Sequence, residues 1–140
     1  AIVRSHPPAF DKFISINGHR RIVHIVTSSD VEDRVVFKAA RVLTSIAYTY
    51  RDDPERQNVL KEDVVDCYVA VSARVRAEDE CEPGELEYVR EYIAKDIKPK
   101  DLKKERRVRL VTVLEKQSKR KYEDKEQLQL VTFTMKKLKV

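Results

Sequence analysis

Glycine is nearly missing from this chain. Gly18 and Gly84 are the only two among 140 residues, tryptophan is absent, and there is one methionine. So few glycines exclude a glycine-rich phosphate loop, whose backbone must approach a nucleotide unhindered. No nucleophile elbow and no His-Glu-x-x-His motif is present either. Two cysteines do not build a disulfide scaffold. No run approaches the ~18 apolar residues of a membrane-spanning helix. The first residues, Ala1-Ile2-Val3-Arg4-Ser5-His6-Pro7-Pro8, hold no apolar core of signal-peptide length. These absences lead to the expectation of a soluble, cytoplasmic protein with one domain over 1–140 and no membrane partner.

Charge, by contrast, is abundant. Asp, Glu, Lys and Arg make up 38% of the chain, well above the roughly 25% of ordinary soluble domains. It is also unevenly placed. Residues 1–97 carry 14 Lys and Arg against 18 Asp and Glu, a net −4; residues 98–140 carry 15 against 6, a net +9. Such a split points to a polyanionic partner or to charge-directed association. Its bland counterpart is a solvated surface of thermophile-like composition.

Periodicity then predicts the elements. Residues 1–11 read as an N-terminal arm, because Pro7-Pro8 offers no amide donors. Asn17-Gly18 between two apolar runs predicts a β-hairpin, since both turn residues tolerate positive φ. Ser29 and Glu32 have the spacing of a capping box, and Val35, Val36, Ala39, Val42, Leu43, Ile46, Ala47 and Tyr50 follow at helical intervals, predicting a helix over 30–51. From Val64 to Arg76 the pattern alternates, which predicts a long strand with Val65, Cys67, Val69 and Val71 inward and Tyr68, Arg74 and Arg76 outward. Leu86, Val89, Ile93 and Ile97 predict a second helix over 85–97. Strands over 108–114 and 128–138 complete a basic C-terminal segment, 98–140, with a long β-hairpin. The order is ββαβαββ. The implied fold is α+β, a mostly antiparallel sheet with two main helices on one face. No sequence period repeats.

The residues that carry chemistry point to binding rather than catalysis. His6, His19 and His24 lack metal-ligand spacing to either cysteine. Cys67 reads as a small buried hydrophobe. Cys81, among Glu78, Asp79, Glu80 and Glu82, has surroundings that disfavour a thiolate, and whether the two cysteines pair is open. Asp52-Asp53-Pro54-Glu55 and Glu78-Asp79-Glu80 are the segments that a magnesium-dependent nuclease would use. Helix capping and a solvated acidic loop explain them more simply, and no cofactor or metal is expected.

Three basic groups remain: Lys103, Lys104, Arg106, Arg107 and Arg109; Lys119, Arg120 and Lys121; and Lys136, Lys137 and Lys139. Together with Tyr68, Tyr122, Arg74 and Arg76 the first two form an expected track for single-stranded DNA or RNA, the cations holding phosphates and the tyrosines stacking on bases. The primary expectation is thus a non-enzymatic, low-specificity binder of single-stranded nucleic acid. The terminal strand would pair with a second copy to give a homodimer. The alternative expectation is a dimeric structural or adaptor module whose basic segment docks an acidic protein.

Overall fold

Every segment expected to be a strand folds wholly or mostly as helix. The computed structural model describes residues 6–139, and within them there are seven α-helices and no strand. They are α1 (Pro7–Ser15), α2 (Gly18–Thr27), α3 (Asp33–Thr49), α4 (Pro54–Ala73), α5 (Gly84–Asp96), α6 (Lys104–Ser118) and α7 (Lys125–Leu138), with one 3-10 turn at Pro99–Asp101. The α+β sheet is therefore wrong, and the ββαβαββ order with it.

The local chemistry explains each change. Pro7 and Pro8 occupy the first positions of α1, where a helix needs no amide donor, and the His6 side chain accepts from the Ala9 amide to cap it. The expected arm is thus helical from Pro7; residues 1–5 lie outside the described residues. Asn17 does adopt the left-handed conformation, with φ 59°, but it joins two helices rather than two strands. Gly18 is required by close packing: a β-carbon there would stand 2.3 Å from the Phe13 ring. Helix α3 starts at Asp33 without the expected Ser29 capping bond.

Helix α4 carries the largest correction. Asp53-Pro54 ends one helix and also begins the next, since Asp53 accepts from the Arg56 amide and Pro54 sits at the first helical position. The valine-rich stretch then buries Leu60, Val64, Val65, Cys67, Tyr68 and Val71. A helix in a single-layer contact would show a narrow stripe. Here α4 packs against α2, α3, α5 and α6, so apolar residues are wanted on most of its circumference, and the helical period is blurred.

The helices stack in two rows. Each packs mainly against its immediate and next-but-one neighbours in sequence: α2, α4 and α6 form one row, and α3, α5 and α7 the other. Side-chain bridges give the direction. Arg20 of α2 pairs with Asp63 of α4, and Arg74 just past α4 reaches the Ser28 and Val31 carbonyls just past α2. Arg106 of α6 meets Asp66 of α4, and Gln117 further along meets Tyr68 and Ser72. Equivalent helices thus run the same way, displaced along the stack. In the second row Arg41 lies over the Tyr88 ring and Arg51 binds Asp96. Translated helix pairs in which each unit touches only its neighbours are the architecture of an α-solenoid. One continuous core, from Phe10 through Leu43, Leu60, Leu86 and Leu110 to Leu138, threads the rows.

Candidate functional site

The most buried charge among the described residues lies where α4, α5, α6 and α7 converge. Arg90 belongs to α5 and is 1% exposed. It donates two parallel bonds to Glu82, at 2.7 and 2.8 Å, one to Gln127 Oε1 at 2.9 Å, and one from Nε to the Tyr68 hydroxyl at 2.9 Å. Tyr68 passes its proton towards Gln117 Oε1, and Gln117 donates to Ser72 at 3.0 Å. The Tyr122 ring lies 5.5 Å from the guanidinium carbon and its hydroxyl donates to Glu82 at 3.3 Å. Burial opposes the Arg90 charge, yet Tyr68, Glu82 and Tyr122 beside it outweigh that and hold it firmly protonated. Burial pushes the Tyr68 and Tyr122 hydroxyls above their ordinary range, so both stay neutral. The network is a clamp. It ties the acidic loop before α5 and the turn after α6 to the core.

Five of the twelve residues of the expected nucleic-acid track, including both of its tyrosines, are taken up by this clamp and by neighbouring bridges. Tyr68, expected on an outer face, is wholly buried and cannot stack on a base. Tyr122 is half-buried against Arg90. Arg74 binds Asp33 at 2.8 Å and the Val31 carbonyl at 2.7 Å. Arg106 is held by Glu62 at 2.9 Å and by both oxygens of Asp66. Arg120 donates to the Arg76 and Asp79 carbonyls at 3.0 and 2.6 Å, pinning the acidic loop. Arg76 is exposed on that same loop, its amide bonded to Asp79. The acidic middle of the stack therefore takes up part of the basic end: residues 50–97 carry 7 Lys and Arg against 14 Asp and Glu.

The remainder is a solvent-facing set on one helix and its flanking turns. Lys103, Lys104, Arg109, Lys119 and Lys121 are exposed and Arg107 half-exposed, and none makes an ion pair with another described residue. Lys116 joins them on the Arg109 side of α6, two turns further along. Lys103 stands at the N-cap of α6 without a capping bond. Lysines at the positive end of a helix oppose its dipole, at a cost of roughly 0.3–1 kcal/mol each.

Beside this set is a groove of about 880 Å³ between the C-terminal halves of α4 and α6. Val69, Ala73, Val75 and Val113 line it with apolar surface, together with Lys116, Lys119 and Lys121 from the α6 side and Asp79, Glu80 and Glu82 from the loop before α5.

Sequence reasoning missed Arg90. Its signal is present: it lies four residues after Leu86 and three before Ile93, squarely within the apolar stripe of α5. A charge at such a position needs a buried partner. Cys67 is buried as expected and Cys81 is exposed; both are free thiols. The acidic segments assemble no cluster of His, Cys, Asp and Glu able to hold a metal ion among the described residues, and Asp53 is occupied by Arg56 at 2.6 Å. The edge strand on which dimerisation was expected to rest is helix α7. No described helix is long and apolar enough to cross a membrane. Compared with protein-family models, curated proteins and solved structures, the chain matches none.

Proposed function

We propose that the chain is a non-enzymatic docking module that binds an acidic protein through the basic face of α6. One observation carries this reading: of the cations grouped at 98–121, Arg106 and Arg120 are tied to neighbouring helices and loops, while Lys103, Lys104, Arg109, Lys116, Lys119 and Lys121 make no ion pair with another described residue and lie along one helix and its ends. Stacked helix pairs present extended rigid surfaces, and this one sets its unpaired charges on a preformed scaffold, so little ordering entropy opposes binding. Two lysines at the positive end of α6 add charge where stability disfavours it.

The same observation weakens the single-stranded nucleic-acid reading. That reading needs stacking faces beside the cations, and Tyr68 and Tyr122 serve the clamp instead.

The test is titration of labelled poly-glutamate with the protein and with the triple variant Lys103→Glu/Lys104→Glu/Arg109→Glu. Binding should be salt-sensitive and lost in the variant, whose circular dichroism stays helical. Equal binding by both proteins would contradict the proposal.

A further inference from the structure

We infer that the α4–α6 groove holds a short peptide segment with aliphatic side chains along one edge and carboxylates along the other, supplied by the acidic partner proposed above. The inference rests on that reading and names where the partner's specificity resides.

Three features select this occupant. The first is shape and polarity. The groove falls within the ~300–1,000 Å³ span of ligand sites, and Val69, Ala73, Val75 and Val113 give it apolar lining. None of the buried polar atoms left without a hydrogen bond in the structure lines it. The polar groups the groove does offer are the charged side chains along it, chiefly Lys116, Lys119 and Lys121, which suit an anionic rather than a neutral polar occupant.

The second is charge asymmetry. Lys116, Lys119 and Lys121, from α6 and the turn after it, line the groove and make no ion pair with another described residue, whereas its carboxylates, Asp79, Glu80 and Glu82, come from the loop before α5, where Glu82 is already held by Arg90. A nucleic-acid strand would bring phosphates against those carboxylates, and no aromatic residue lines the groove to stack on its bases. A segment whose acidic edge faces α6 avoids both problems.

The third is rigidity. The loop that supplies the carboxylates is held by Arg120, itself in the lining, on the Arg76 and Asp79 carbonyls and by Arg90 on Glu82. The α6 wall is fixed by Gln117, bonded to Tyr68 and Ser72 on α4. A groove with both walls anchored is formed before the ligand arrives.

Fluorescence anisotropy with two probes of equal charge tests this: a peptide of alternating leucine and glutamate pairs, and one with serine replacing every leucine. The expected result is that the wild type binds the leucine peptide at least about tenfold more tightly. Ala73 is exposed, so Ala73→Trp blocks the groove without disturbing the core. It should abolish the leucine preference and leave the weak, salt-sensitive binding of the serine peptide. Val75→Asp, placing a charge in the apolar lining, should do the same. If Ala73→Trp keeps the full leucine preference, or if the wild type shows none, the groove assignment is overturned while the basic docking face stands. If Lys116→Glu/Lys119→Glu/Lys121→Glu leaves binding of both probes unchanged, the basic face itself is wrong.

Discussion

Arg90 and Glu82 form two parallel hydrogen bonds, at 2.7 and 2.8 Å, with both side chains at most 3% exposed. A charge pair so fully removed from water needs every lone pair and proton satisfied, and Gln127, Tyr68 and Tyr122 complete the set. Arg90→Met should therefore cost about 3–5 kcal/mol, because it strands the Glu82 carboxylate. Replacing both, as Arg90→Met/Glu82→Leu, should recover much of that loss. Urea denaturation of the three proteins checks the order of stabilities.

Tyr68 is the sharpest point of separation between clamp and stacking platform. Tyr68→Phe leaves Arg90 Nε without an acceptor and removes the donor to Gln117, so it should cost about 1–3 kcal/mol. Affinity for an oligonucleotide or an acidic peptide should not change. Denaturation midpoints and anisotropy titrations on the same preparation read the two effects. A loss of oligonucleotide binding in a protein of undiminished stability would restore the stacking role.

Lys103 gives an opposition between stability and binding. Lys103→Asp supplies α6 with a capping oxygen and a favourable charge at its positive end, which together should add about 1 kcal/mol. The same change removes a docking cation. The melting temperature should rise while affinity for poly-glutamate falls. A variant that gains stability and binds equally well would show that Lys103 is not part of the docking face.

His19 sets an acid limit. It is 8% exposed, its Nδ1 has no hydrogen-bond partner, and burial depresses its pKa despite Asp63 nearby; Arg20 also lowers it. The unfolded chain then binds the proton more readily than the folded one. The resulting contribution is present above the ordinary histidine value near 6.5 and is lost as pH falls below it. Melting temperatures between about pH 7 and 5 should drop more steeply for the wild type than for His19→Gln. Parallel curves would contradict the assignment.

The two helices with clean apolar spacing, α3 and α5, are legible in the sequence, as are the left-handed Asn17 and the buried Cys67. The failures share one cause. In α4, Val64, Val65, Cys67, Tyr68 and Val71 face several neighbouring helices at once, so their spacing resembles alternation. Valine's preference for strands strengthened the error, though its cost in a helix is only a few tenths of a kcal/mol. The decisive signal, Asp53-Pro54-Glu55, marks a helix start as well as a stop. In α6 and α7 the apolar residues are diluted by exposed Val108, Leu128 and Phe133, which obscured the buried face. As for the site, the clustering of Lys and Arg after residue 98 is visible in composition. Which of them are spent internally is not, because their partners Glu62, Asp66 and the Arg76 and Asp79 carbonyls are some 40 residues away in sequence.

The account stands or falls on which polyanion the α6 face prefers. Side-by-side titration of the wild type with the leucine–glutamate peptide and with a single-stranded oligothymidylate, at about 50 and about 200 mM salt, measures this directly. The peptide should remain bound at the higher salt because apolar contacts in the groove resist screening, while the oligonucleotide should dissociate. Retention of the oligonucleotide at the higher salt with loss of the peptide would contradict the account.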